Sequence, residues 1–284
     1  MIRYAKPTTV DEALGLLAED TWRILAGATD VYPALGSRPV RENILDINGL
    51  AGLRGIAETP AHWTIGARAT WTELARHPLP AGFDALRHAA LEVGSRQIQN
   101  VATVAGNLCN ASPAADGVPP LLALDAEVEL RTRAGVRHLR LEEFILGNRR
   151  TALRPAEMVT AIRVPKASAS GRSAFLKLGA RRYLVISIAM AAVRLAIENG
   201  RVVEAAVAVG SCSAVAVRLR GVEAALCGLK ADALAGAVLS APMEELAPID
   251  DVRAAAGYRL EAAREIVIRA LSDVVGRGEG SAAA

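Results

Sequence analysis

Cysteine, histidine and aromatic residues are all scarce in this 284-residue chain, which has three Cys, four His and 4% Phe, Trp and Tyr. Cys109, Cys212 and Cys227 cannot all pair with one another, and none lies in a CxxC. That disfavours a disulfide framework, a zinc ribbon and an iron–sulfur cluster held by this chain alone. His62, His77, His88 and His138 show no metal-ligand spacing, and surface or capping roles are expected for them. The cysteines are expected to pack as small apolar residues. So few aromatics argue against a base-stacking platform. Lys and Arg number 33 against 30 Asp and Glu, leaving +3 with no run of like charge; neither a nucleic-acid groove nor a polybasic membrane patch fits that balance. GxxxxGK[ST], HExxH, GxSxG and a strand-linked GxGxxG are all missing, since the glycines of 276–280 follow a helical segment. The most apolar stretches, Leu184–Val193 and Ala205–Val217, fall short of the ~20 residues a membrane span needs. With no apolar core in MIRYAKPTTVDEAL, a cytoplasmic location is the expectation.

What is present is an α+β pattern. Thr9 followed three residues later by Glu12 fits a capping box opening a short helix. Trp22–Ala26, Asn43–Ile47 and Trp63–Ala67 read as strands, with Gly49, Gly52 and Gly55 marking turns between them. Trp71–Arg76 and Ala85–Val93 have helical composition, and Leu121–Leu124 reads as a short buried helix or turn. Glu127–Thr132 and Val136–Leu141 form a hairpin across Arg133-Ala134-Gly135, and Val159–Val164 is a strand ended by Pro165. Residues 166–172 are the best linker. Beyond them Ala174–Leu178, Ile186–Ile197 and Val202–Val209 read as antiparallel strands, the last two joined by Asn199-Gly200, a strong hairpin signal. Tyr258–Val275 carries one apolar helical face. The expected units are residues 1–165, with an internal boundary near 55, then 173–276, then a disordered tail at 277–284.

Two stretches carry the candidate chemistry. Ala26-Gly27-Ala28-Thr29-Asp30 follows a strand and precedes Pro33, which suits the first turn of a helix. Gly27 permits a positive φ, Ala28 adds little bulk, and successive N–H groups near a helix start can hold a diphosphate without a lysine. On spacing alone an ordinary capped strand-to-helix turn is the better explanation of this stretch. The second stretch runs Thr103-Val104-Ala105-Gly106-Asn107 and continues through Ser112-Pro113-Ala114-Ala115-Asp116. It holds no charge before Asp116 yet is hemmed in by Val, Leu and Ala. Polar groups in such a setting need partners, which suggests backbone brought close to something buried.

Taken together, these residues resemble the FAD-binding subunit of the molybdenum hydroxylases. That group includes the medium subunit of carbon monoxide dehydrogenase and the flavin domain of xanthine dehydrogenase. The resemblance continues through Arg96-Gln97-Ile98-Gln99-Asn100, Phe175-Leu176-Lys177, Arg181-Arg182 and Tyr258-Arg259, in order along nearly the whole chain. It implies a two-part FAD-binding domain of the vanillyl-alcohol-oxidase (PCMH) type, followed by a small α+β domain with a three-stranded antiparallel sheet and helices. By the same resemblance, the backbones of Ala26–Asp30 and Thr103–Asn107 cradle the FAD diphosphate. Asp116 matches the aspartate on the adenosine part, Val159 an apolar position beside the cofactor, and Lys177 a flavin-contacting lysine. Implied partners are a large subunit carrying molybdopterin, a small subunit with two [2Fe–2S] clusters, and an electron acceptor such as NAD⁺, oxygen or a quinone. The family usually has Gly-Gly in both loops, where this chain has Gly27-Ala28 and Ala105-Gly106. An alanine methyl is tolerable there if the residue keeps φ below zero. The alternatives are a self-contained flavin oxidase of the same superfamily and a flavin-less assembly or nucleotide-binding subunit.

Overall fold

A computed structural model describes residues 2–279. The chain opens on a three-stranded parallel sheet with strand order β1-β3-β2, built from β1 (Tyr4–Ala5), β2 (Trp22–Leu25) and β3 (Asn43–Asp46). Helix α1 (Val10–Glu19) starts at Thr9, whose hydroxyl accepts from the Glu12 N–H at 3.2 Å. The Glu12 carboxylate answers by accepting from the Thr8 N–H at 2.9 Å, one residue outside the usual capping box. Ala13, Leu14 and Leu17 bury one stripe of α1. β2 stops at Leu25, and a loop leads into the single turn α2 (Val31–Leu35).

A five-stranded antiparallel sheet follows, in the order β4-β5-β10-β6-β7. Its strands are β4 (Ile56–Glu58), β5 (His62–Gly66), β6 (Glu127–Thr132), β7 (Gly135–Arg140) and β10 (Met158–Pro165). β5 alternates, with Trp63 and Ile65 turned to the core, whereas central β10 is buried along nearly its whole length. Between β5 and β6 run helices α3 (Trp71–Arg76), α4 (Asp84–Glu92), α5 (Arg96–Gln99), α6 (Val104–Asn110) and α7 (Val118–Ala123). Between β7 and β10 lie α8 (Leu141–Phe144) and a small hairpin, β8 (Ile145–Gly147) with β9 (Arg150–Thr151). Thr70 caps α3 in a full capping box with Glu73.

The remaining strands, β11 (Arg172–Leu178), β12 (Ala189–Glu198), β13 (Arg201–Gly210) and β14 (Val217–Arg218), pair in sequence order as an antiparallel sheet. The sheet therefore has four strands and not three. Two-residue β14 is too short to show any alternation in the sequence. β12 also begins three residues later than expected, because 186–188 belong to the loop before it. Asn199 and Gly200 both take positive φ (50° and 72°), as the tight β12–β13 turn requires. One face of this sheet packs on α9 (Arg220–Leu226), α10 (Leu234–Ser240) and α11 (Ala256–Glu279) through residues such as Val193, Val207, Val267 and Leu271. The other face sets Phe175, Met190, Ala192 and Ala206 against Ala85, Ala89 and Ala123 of α4 and α7. With both faces covered, alanine and valine fill the long strands nearly end to end.

Two arginines of this sheet cross to the end of α7. Arg194 Nε donates to the Ala123 carbonyl at 3.0 Å, and Arg218 Nη1 donates to the Leu122 carbonyl and to Asp125, both at 2.9 Å. Arg194 thus caps the Ala123 carbonyl at the helix C-terminus, and Arg218 adds a second bond to the Leu122 carbonyl, which also accepts from the Asp125 N–H at 3.0 Å. The expected linker at 166–172 is not loose. Its 3₁₀ turn buries Ser168 and Ala169, and the Ser168 hydroxyl donates to Asp125 at 2.9 Å. Likewise α11 runs to Glu279, so 277–279 are helical where a disordered tail is expected. The rest of that tail, 280–284, lies outside the described residues. Among the described residues no helix is long and apolar enough to cross a membrane.

Candidate FAD-binding site

A cleft of about 1090 Å³ opens between the parallel sheet and the helices that follow the second sheet's first hairpin. One wall is the loop from β2 to α2. Gly27 sits at its base, facing the backbone of Val101 and Ala102; a β-carbon there would lie 2.7 Å from the Val101 carbonyl carbon and 2.9 Å from the Ala102 Cα. Close approach, and not a positive φ, demands glycine at this position. The positive φ falls on Ala28, at 60°. The condition for a tolerable methyl there is thus not met, and the left-handed conformation costs about 1–2 kcal/mol. Among the described residues, none of the backbone N–H groups of Gly27, Ala28, Thr29 and Asp30 finds an oxygen to donate to. Asn48 steadies the loop from behind, its amide donating to the Ala26 carbonyl at 2.9 Å.

The opposite wall is the first turn of α6. Residues 103–107 are therefore not an extended loop: Thr103 is the N-cap, and its hydroxyl accepts from the Gly106 N–H at 3.0 Å. Gly106 is helical, so its value lies in the missing side chain. A β-carbon there would meet only the Thr103 hydroxyl, at 2.8 Å, and otherwise project toward the open cleft. Ala105 lies within the helix, where alanine costs nothing. Its N–H has no acceptor among the described residues. Asn107 lines the cleft with a buried side-chain oxygen that no hydrogen bond satisfies. The unpaired backbone donors suit an anionic group, and the unpartnered Asn107 oxygen beside them suits a donor on the same ligand.

Of the thirteen expected positions, Ala26, Gly27, Ala28, Thr29, Asp30, Thr103, Ala105, Gly106, Asn107 and Val159 all border this cleft. Val104 does not; it is fully buried behind the α6 turn. Asp116 and Lys177 do not border it either, and they are not separate contacts. The Lys177 ammonium donates to both Asp116 oxygens, at 3.0 and 2.9 Å, and to the Val185 carbonyl at 3.4 Å. The Ser187 hydroxyl adds a bond to Asp116 at 3.2 Å. Burial pushes the Asp116 carboxyl upward, against the pull of Lys177.

Several bordering residues escape the sequence reading. The turn into β10 brings Arg154, Pro155, Ala156 and Glu157 to the cleft. Glu157 accepts from Arg137 at 2.6 and 2.8 Å and from the Arg154 N–H at 2.8 Å; the Arg137 guanidinium holds its carboxyl below the usual range. Cys109 and Asn110 also border the cleft, three and four residues after Gly106 on the same face of α6. Cys109 is open to the cleft yet has protein on its other sides, and that desolvation pushes its thiol up to about 12. The expectation of packed cysteines holds for Cys212 alone, since Cys227 is exposed as well. Among the described residues no group of His, Cys, Asp and Glu could hold a metal ion.

The family described as "FAD binding domain in molybdopterin dehydrogenase" matches residues 1–167, more than half of the chain. The chain belongs to the FAD-binding medium subunits of the molybdenum hydroxylases. A second family, the carbon monoxide dehydrogenase flavoprotein C-terminal domain, matches residues 174–274. The xanthine dehydrogenase FAD-binding subunit of Escherichia coli O157:H7 is 30% identical over 284 residues, covering 98% of this medium subunit and 97% of that protein. The nicotinate dehydrogenase FAD-subunit of Eubacterium barkeri is 36% identical over 193 residues, covering 65% of each. Among solved structures, a carbon monoxide dehydrogenase from Hydrogenophaga pseudoflava superposes with a TM-score of 0.86 at 28% identity, over 97% of this chain and 98% of its own.

Proposed function

We infer that this medium subunit binds FAD in the cleft and serves as the electron outlet of a molybdenum hydroxylase complex. Electrons come from the [2Fe–2S] clusters of a small partner subunit, which receives them from a molybdopterin-bearing large subunit. They leave to NAD⁺, oxygen, a quinone or another carrier. Bound FAD supplies the capacity to exchange electrons singly or in pairs, which joins one-electron clusters to a two-electron acceptor.

The observation that carries this reading is the pair of facing walls with unpaired backbone donors. The N–H groups of 27–30 on one side and the start of α6 on the other would hold the diphosphate, aided by the Thr29 hydroxyl, while the Asn107 oxygen would accept from an N–H or O–H of the cofactor. Val159 would pack beside the cofactor and help exclude water from it. The Lys177–Asp116 pair stands off the cleft, so it would act on the flavin only through space, with a share of the lysine charge already balanced within the protein. Cleft chemistry also fits electron transfer better than substrate turnover. Glu157 is held ionised by Arg137 and Cys109 is held as a thiol, so neither suits proton exchange near neutrality. The strain at Ala28 is small beside the affinity of a typical dinucleotide site, so the departure from Gly-Gly leaves FAD binding in place.

The test is the visible absorption spectrum of the purified chain, with the released chromophore identified by chromatography. A two-banded flavin spectrum releasing FAD is expected. A folded but colourless chain that takes up no added FAD would refute the reading.

A further inference from the structure

One side chain ties the two cleft walls together at the mouth. Asn110, at the last turn of α6, donates through Nδ2 to Asp30 Oδ1 at 3.0 Å. Its Oδ1 accepts from the guanidinium of Arg149. Only one orientation of the amide satisfies both neighbours, because a carboxylate cannot donate and a guanidinium cannot accept. Arg149 comes from a third element, the turn between β8 and β9, where it takes a left-handed φ of 58°. Its N–H donates to the Ala111 carbonyl at 2.9 Å, which anchors the turn to the end of α6. Capping α6 explains that backbone bond. It does not explain a side chain directed onto the one amide that reaches the opposite wall.

The β2–α2 loop needs such a tie. Behind it stands the Asn48 bond to Ala26, and its own short helix makes turn bonds. Among the described residues, Asn110 is the only side chain from the α6 wall that bonds to it. Asp30 is also an exposed carboxylate on the wall of a cleft read as the seat of a dianionic diphosphate. Left alone it would repel that ligand; linked through Asn110 to a cation, one of its oxygens is tied up and its charge is partly balanced.

We propose that Arg149, Asn110 and Asp30 form a clasp across the cleft mouth, in which Arg149 is a positioning residue for the dinucleotide loop. This rests on the FAD reading for its ligand but not for its geometry. Arg149 is exposed, so its replacement leaves the core intact.

The experiment compares the wild-type chain with Arg149→Gln, Asn110→Ala and the double variant. Amide hydrogen exchange of residues 26–35 is measured without FAD, and FAD affinity by fluorescence titration. Each single variant should speed exchange in 26–35, a segment that Arg149 does not touch, and weaken FAD about tenfold. The double variant should be no worse than Asn110→Ala alone, because the two act in series. Unchanged exchange at 26–35 with unchanged FAD affinity overturns the clasp and leaves the FAD reading standing. Faster exchange in a chain that takes up no FAD, even unmutated, upholds the clasp and overturns the FAD reading instead. Faster exchange confined to α6 reduces Arg149 to a helix cap and overturns the proposal.

Discussion

Gly106→Val separates binding from folding more cleanly than any other change in the cleft. Gly106 occupies the third position of α6, and its missing β-carbon would have one close neighbour, the Thr103 hydroxyl at 2.8 Å. Displacing that hydroxyl forfeits the N-cap bond to the Gly106 N–H, which is worth about 1 kcal/mol. Valine restores roughly 0.4 kcal/mol of helix propensity relative to glycine. The net loss of about 0.6 kcal/mol should lower the melting temperature of the FAD-free chain by only about 1–2 °C. Two methyl groups meanwhile enter the space between the walls, where overpacking a formed site costs about 1–3 kcal/mol, a loss of roughly 5- to 150-fold in FAD affinity. Thermal melting of the FAD-free variant and titration with FAD give the two numbers separately. Affinity equal to wild type would refute the placement of α6 against the cofactor. A collapse in melting temperature would refute the claim that Gly106 faces open space.

Ala28→Gly trades left-handed strain for a more flexible unfolded chain, so stability should change by less than about 1 kcal/mol while FAD affinity stays level or rises; weaker FAD binding would show that the methyl itself touches the ligand. Cys109 should react with iodoacetamide more slowly than exposed Cys227 at pH 8, since its thiol is pushed up to about 12, and FAD should block it completely. Labelling of Cys109 that FAD leaves unchanged, read by peptide mass spectrometry, would place the cofactor elsewhere. Lys177→Met and Asp116→Asn each strand a buried charge or dipole, and each should cost about 3 kcal/mol by urea unfolding, with the double variant costing well under their sum; strict additivity would mean that the pair is not coupled. Glu157 has its folded carboxyl held below the usual range, so its contribution is present above the unfolded value near 4.3 and fades as pH falls below it. Glu157→Gln should therefore lower stability at pH 7 and flatten its decline below about pH 4.5, and an unchanged acid slope would refute the Arg137 pairing.

What was legible depended on how far apart in the chain the deciding contact lay. The strand running into Gly27 (read to Ala26, one residue past where β2 stops), the hairpin at Asn199-Gly200 and the apolar face of α11 follow from neighbouring residues, so periodicity and turn chemistry locate them. The need for glycine at 27 and 106 is legible, but at 27 the sequence points to backbone freedom, whereas the structure puts the positive φ on Ala28 and leaves Gly27 a need for space. At Gly27 the pressure comes from Val101, in the turn between α5 and α6, far along the chain. At Gly106 it comes from a helix that Gly and Asn disfavour, and that packing of Val104 and Leu108 stabilises against their propensity. Reading 104–110 as a loop hid the i+3 and i+4 spacing that brings Cys109 and Asn110 to the cleft. Asp116 and Lys177 show the same limit in electrostatic form: residue type marks both as charges in need of a partner, and only strand β11 passing beside the turn before α7 makes each the other's. Burial then decides their chemistry, because a carboxylate facing solvent could turn to a ribose hydroxyl, whereas one holding a buried ammonium through both oxygens cannot leave it without exposing an unpaired charge.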